Sequence, residues 1–206
     1  AIRICDALLA KGGGDKKFAA MLEYFRAWNY FMLSQYDTAY SAFDSIIKKY
    51  PGDMLAIWSE YKKGLCHEEK GNLKAAMAQY EKVMSDYQDT IPAAYSEYAL
   101  AYLNQKQGDL YGALNLYSGI IAKYNIDELV RASHFMTAEI YTKLNRFSEA
   151  SQTYSLIESR YPEDADTARF MKAWCNSNNG NTEGAEAVYN GIISDEKSGR
   201  DLKAKS

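Results

Sequence analysis

A period of 37 residues constrains this chain more than any other feature. Ala39, Ala76, Ala113 and Ala150 stand 37 residues apart, and Ala185 follows after 35. Twelve residues before each lies a small residue: Ala27, Gly64, Ala101, Ala138 or Ala173. Four after each alanine comes an aromatic (Phe43, Tyr80, Tyr117, Tyr154, Tyr189), and seven after comes a β-branched residue (Ile46, Val83, Ile120, Ile157, Ile192). Offsets of 0, 4 and 7 line one face of an α-helix. The small residue twelve back lies on a different helix, because Gly71-Asn72, Gly108-Asp109 and Gly180-Asn181 break the chain between them. Each repeat is therefore a helical hairpin whose small residues let the two helices approach closely, with the larger columns filling the next layer. One hairpin cannot bury its apolar face alone, but stacked copies can.

These hairpins resemble the tetratricopeptide repeat family. Gly64, Ala76 and Tyr80 occupy its small, alanine and aromatic positions, and Pro51 and Pro162 stand at its closing proline. The departures are specific. The family repeat is about 34 residues, whereas this one is mostly 37; Gln88 and Asn125 replace the proline in two repeats. The third column is Ile or Val rather than Ala. Glu23, Glu60, Glu97, His134 and Arg169 stand where the family places an early tryptophan. The longer repeat, with its Tyr50-Pro51 and Tyr161-Pro162 endings, is similar to a subgroup common in bacterial cell-envelope proteins. The resemblance covers roughly residues 18–195. It implies an all-α, right-handed superhelical solenoid of stacked antiparallel helix pairs. The expected organisation is the second helix of a truncated preceding repeat with a glycine turn over 1–14, five repeats at about 15–51, 52–88, 89–125, 126–162 and 163–195, and a polar tail over 196–206.

Composition narrows the function classes. The net charge is −3 and the basic residues are scattered, which disfavours nucleic-acid binding, where a basic face is needed. No apolar run approaches the length of a membrane span. Cys5, Cys66 and Cys175 form no CxxC pair. Cys66 and Cys175 each follow the small column by two residues, and they read as helix-packing residues that leave the compartment open. A periplasmic or envelope location is expected from the subgroup resemblance, with the cytoplasm as the alternative. Asp37, Asn72, Asp109 and Ser148 lie near helix starts and are candidate N-caps.

In the family the first helix of each repeat lines a concave groove that takes a peptide or protein segment. Carried onto this chain, one groove column is Tyr24, Tyr61, Tyr98, Phe135 and Phe170, aromatic in all five repeats. One turn on, the next is Trp28, Leu65, Tyr102, Glu139 and Trp174; Met21, Trp58 and Tyr95 precede them on the same face. Tyr and Trp are typical interface anchors. The competing reading is that the aromatic column takes the packing role of the missing tryptophan. Glu68, Glu69, Gln105, Lys106 and Lys143 read as a polar rim, and Glu60, Glu68, Glu69, Glu97 and Glu139 as a solvated acidic face. The Lys and Asn positions by which some family members clamp a chaperone tail carry aromatics, Leu and Glu here, which disfavours that ligand. His67 takes the place of Tyr30 and Tyr141 and reads as packing. No motif specifies a nucleophile, a metal or a cofactor. The reading is a non-enzymatic protein-interaction scaffold, expected in a bacterial envelope or secretion assembly. The alternatives are a self-assembly module that stacks end to end, or an accessory domain of an enzyme whose catalytic part lies outside this chain.

Overall fold

The computed structural model describes residues 1–12 and 14–194, apart from the side chains of 187 and 192–194. Eleven α-helices fill the described residues, and no strand occurs among them. They are α1 (Ile2–Ala10), α2 (Lys16–Met32), α3 (Tyr36–Lys49), α4 (Met54–Glu69), α5 (Leu73–Asp86), α6 (Ile91–Gln107), α7 (Leu110–Lys123), α8 (Asp127–Lys143), α9 (Phe147–Arg160), α10 (Ala165–Asn178) and α11 (Thr182–Ser194). A 3-10 turn, Pro162–Asp164, precedes α10. The chain divides into two compact units, Ala1–Leu103 and Asn104 onward. In the first, α1 packs on α2, α2 on α3, α3 on α4 and α4 on α5. In the second, α7 packs on α8, α8 on α9, α9 on α10 and α10 on α11. This is an all-α array of helical hairpins, one hairpin per repeat. None of the described helices is long and apolar enough to cross a membrane.

The four columns that define the period form the core. The column alanines Ala39, Ala76, Ala113 and Ala150 are fully buried, as are Ala27, Ala101, Ala138 and Ala173, with Ala185 close behind. Phe43, Tyr80, Tyr117, Ile46, Val83, Ile120 and Ile157 are buried as well. Removing a side chain of this size from water contributes about 1.5–3 kcal/mol. Tyr189, in the last described hairpin, is only half-buried. The side chain of Ile192, Gly13 and the tail over 196–206 lie outside the described residues.

The hairpin turns repeat as faithfully as the core. Ser34, Gly71, Gly108, Asn145 and Gly180 occupy the same repeat position, and all five have positive φ, from 56° to 90°. The residue after each donates its N–H to the carbonyl five residues back: Gln35 to Tyr30, Asn72 to His67, Asp109 to Asn104, Arg146 to Tyr141 and Asn181 to Asn176, at 2.8–2.9 Å. This left-handed closure satisfies carbonyls that the ending helix leaves open. Glycine adopts it freely, whereas serine pays a steric cost. Ser34→Gly should therefore stabilise the first unit by about 0.5–1 kcal/mol. A raised denaturation midpoint is the expected result; an unchanged midpoint would mean that the Ser34 turn carries no strain. The N-caps follow expectation at one position and depart from it at three. Asp109 accepts from the Gly112 N–H at 2.9 Å, but Asn72 makes no side-chain cap bond. Asp37 lies inside the first turn of α3 and Ser148 inside that of α9.

Ion pairs between helices occupy the level of the missing tryptophan. Glu23 on α2 holds Lys49 of α3. Glu60 on α4 accepts from Lys82 Nζ at 2.6 Å and from Gln79 Nε2 at 2.8 Å, both on α5. Arg169 on α10 donates to Glu158 of α9 at 3.1 Å, and Lys172 joins it on the same carboxylate. His134 instead faces the Tyr161 ring, centroids 6.3 Å apart. The expectation that Glu60 and Glu68 lie on a solvated acidic face is corrected. Glu60 is buried against α5, and Glu68 is half-buried and accepts the Tyr80 hydroxyl at 2.8 Å.

Candidate functional site

The first helix of each hairpin turns one side to the second helix, through its small residue. A neighbouring strip of the same helix carries the aromatic columns, so each of these rings stands at the margin of the core. In the first unit, Tyr24 meets Phe43 with centroids 5.8 Å apart, and Tyr61 meets Tyr80 at the same separation. In the second, Phe170 meets Tyr189 at 5.5 Å, and Phe135 packs on the cluster around Ala138 and Tyr154. Tyr61 is buried, while Tyr24, Tyr98, Phe135 and Phe170 keep part of their surface open. Burial pushes the Tyr24 hydroxyl up to about 12 and raises that of Tyr61, so both stay neutral. Tyr61 thus belongs to the core, whereas Tyr24, Phe135 and Phe170 pack on one side and keep part of their surface open.

The next column stands further out. Trp28 stacks on Phe31 at 4.9 Å and 10°, and it is half-buried, as are Leu65, Tyr102 and Glu139. Trp174 is 38% exposed and rests edge-on against Phe147 at 5.8 Å. Glu139 pairs with Lys143 one turn along at 2.6 Å. Trp58 and Tyr95, half-buried, lie 5.5 Å apart, and each ring also lies near Tyr61, at 5.8 and 6.2 Å. Met21 is exposed. In the first unit the structure therefore gathers Tyr61, Trp58 and Tyr95 into one aromatic cluster, with Trp28 nearby.

Lys62 joins Trp28 to that cluster, and it was not among the expected site residues. Its ammonium lies 3.9 Å from the centroid of Trp28, 5.2 Å from Tyr61 and 6.0 Å from Trp58. Cation–ring contacts of this kind are favourable, most of all when partly desolvated. A signal existed in the sequence. The column Phe25, Lys62, Ala99, Met136 and Met171 is uncharged except at Lys62.

The remaining reactive side chains are engaged in packing. Cys5, Cys66 and Cys175 are buried free thiols. Burial pushes Cys66 up to about 12, which leaves it in the inert thiol form. His67 packs edge-on against Tyr40 at 5.0 Å. Burial lowers its pKa, helped by Lys70 and Lys63. Among the described residues, no group of three or more His, Cys, Asp or Glu side chains is placed to hold a metal ion.

Comparison with known proteins agrees with the repeat. The tetratricopeptide repeat model matches residues 26–53 and 58–90. No curated protein matches the sequence. Among solved structures, a tetratricopeptide repeat protein from Parabacteroides merdae superposes with a TM-score of 0.69 at 19% identity, covering 88% of this chain and 68% of that one. The C-terminal part of a TPR repeat-containing protein from Cytophaga hutchinsonii gives 0.73 at 15% identity, covering 93% and 71%. The apo form of RapI gives 0.74 at 14% identity, covering all of this chain and 59% of that one. Identities this low speak for the fold alone. The columns aligned by the period are the ones that close each hairpin, and the same fold recurs in solved repeat proteins: the chain carries tetratricopeptide repeats at residues 26–53 and 58–90 within a tetratricopeptide-like fold.

Proposed function

We propose that the chain is a non-enzymatic scaffold that binds a protein or peptide segment on the aromatic face of its first helices. The tetratricopeptide fold supports a protein-interaction role. The observation that carries the finer reading is the position of the outer column. Trp28 and Trp174 are large, rigid anchors that retain open surface beside the core instead of filling it. The proposed binding residues are Tyr24, Trp28, Trp58, Tyr61, Leu65, Tyr95, Tyr98, Tyr102, Phe135, Glu139, Phe170 and Trp174. The long repeat and its Tyr-Pro endings favour a role in a bacterial envelope or secretion assembly. A second reading, self-association, is favoured by one observation: Ile4, Phe25, Met32 and Leu33 on and beside α1 and α2 are 48–65% exposed. Exposed apolar side chains grouped on neighbouring helices are common at interfaces.

The test is capture from the source cell's extract by three proteins: the wild type, Trp28→Ala/Trp174→Ala, and a control altered at exposed second-helix positions, Glu81→Ala/Ser118→Ala. All three must show the same helical circular dichroism. A partner held by the wild type and control, and bound at least about tenfold less by the tryptophan variant, is expected for two lost anchors. Equal capture by all three would overturn the aromatic-face reading. Loss of capture, or of a dimer peak, on Phe25→Ser/Met32→Ser would favour self-association.

A further inference from the structure

His134 stands in α8 at the repeat position where Glu23, Glu60 and Arg169 each meet an opposite charge on the second helix of their hairpin. It meets Tyr161, at the end of α9, instead. Only 8% of the residue is exposed. Its Nε2 is buried and makes no hydrogen bond; nor does Thr137 Oγ1, one turn on along α8, nor the Tyr161 hydroxyl. Folded proteins hold few such atoms. The charges of the surrounding elements offer an imidazolium no partner. On α9, Arg160 is a second cation, over the Tyr161 ring at 5.6 Å, while Glu158 is held by Arg169 and Lys172, and Glu149 by Arg146. In the 3-10 turn, Glu163 and Asp164 hold Arg131 of α8. Further along α8, Glu139 holds Lys143, and Asp127 and Glu128 lie exposed in its first turn. The one charged side chain of α7 is Lys123, over the Tyr124 ring. Burial, then the Arg160 charge, lowers the His134 pKa below the usual histidine value.

We propose that His134 is an acid-responsive catch: its neutral ring lets α8 close on α9, and its protonation in mild acid loosens this hairpin ahead of the first unit. This goes beyond the scaffold reading and does not depend on it. Protonation makes both ring nitrogens donors. The added charge would be desolvated, Nε2–H would have no acceptor, and Arg160 would repel it. The sign follows from linkage. A folded-state value below the ordinary one means that the open hairpin binds the proton more readily. The stabilising contribution of the neutral ring is therefore complete above about pH 6.5 and is lost as the pH falls below it. His67, the other histidine of the chain, keeps part of its surface open. Its imidazolium can reach water, so the response is concentrated at α8 and α9.

The test follows amide hydrogen exchange of the whole chain by mass spectrometry at pH 8 and pH 5. The data are expressed as protection factors, so that the intrinsic pH dependence of exchange cancels. Protection of α8 and α9 should fall at least about fivefold on acidification; about thirtyfold is the ceiling for one histidine with an open-state value near 6.5. Protection of α4 and α5 should change by about twofold or less over the same range. His134→Gln carries no titrating ring and should reduce the fall in α8 and α9 to about twofold or less; His134→Phe, which keeps a ring against Tyr161, should do the same. Unchanged protection in the wild type would overturn the catch. So would a fall that survives in both variants, by moving the acid response to another group. The two histidine rings are also titrated by nuclear magnetic resonance in the wild type, with His67→Gln telling them apart, so the question stays decidable if a His134 variant fails to fold. The His134 ring should titrate below about pH 6.5; a midpoint at or above that value would overturn the proposal whatever the variants show.

Discussion

Replacing Tyr80 with alanine should lower the stability of the first unit by about 3–5 kcal/mol, the range for deleting a buried aromatic ring. The ring is fully buried. It fills the space between α4 and α5, meeting Tyr61 with centroids 5.8 Å apart and approaching the α4 backbone at Gly64. Its hydroxyl donates to Glu68 at 2.8 Å, so the truncation also deprives a half-buried carboxylate of a partner. Burial, then the nearby Glu68 charge, raises the hydroxyl's pKa far above the usual tyrosine value. It therefore remains a donor at any pH that the fold survives. Tyr80→Phe separates the two contributions. It keeps the ring and loses the hydrogen bond, for about 1–3 kcal/mol. Urea denaturation in a Trp174→Phe background, followed by the fluorescence of Trp28 and Trp58, reports on the unit that holds Tyr80. If Tyr80→Ala costs no more than Tyr80→Phe, the ring does not fill the hairpin core.

The readability of each feature in the sequence follows from how its packing is repeated. The small, alanine, aromatic and branched columns were legible because each contact recurs at a fixed offset from the one before. Stacked hairpins impose the same geometry on Ala76 and Ala113 alike. The turn column was half-legible: Gly71, Gly108 and Gly180 announce themselves, whereas Ser34 and Asn145 adopt the same left-handed conformation with residues that seldom signal it. The ion pairs were hidden for a different reason. Glu23 reaches a lysine 26 residues ahead, Glu60 one 22 residues ahead, and Arg169 a glutamate 11 residues behind. Glu23, Glu60 and Arg169 share one column, but their partners Lys49, Lys82 and Glu158 come from different repeat positions, so no column of partners forms. Aromatic residues on the first helices were legible as a group. Their division between core and open surface was not, because it depends on how far each ring leans over its own hairpin. Lys62 shows the limit of column reading: a residue unlike the rest of its column is visible, but only the arrangement of Trp28, Trp58 and Tyr61 explains what the exception does.

Gly64→Leu should destabilise the same unit by about 3 kcal/mol, the upper end of the overpacking range. A Cβ at Gly64 would lie 2.3 Å from Cε1 of Tyr80 and 2.7 Å from Cδ1, so the first added carbon already displaces a ring with no free surface. Tyr61 on one side and the bond to Glu68 on the other oppose that displacement. Leucine is a better helix former than glycine by about 0.8–1 kcal/mol, so a gain in stability is what an open site would show. The same column holds alanine in the first and fourth repeats, Ala27 in one core cluster with Phe43 and Ala138 in one with Tyr154, whereas at Gly64 the helices close directly on the ring. The contact is tested by a double-mutant cycle with Tyr80→Leu, which removes the obstructing ring edge. The double variant should be more stable than the sum of the two single losses predicts, by more than the roughly 0.5 kcal/mol scatter of additive pairs. Simple additivity, or an unchanged midpoint for Gly64→Leu alone, would mean that α4 and α5 do not meet at Gly64 and Tyr80, and that the period places its small residue there for another reason.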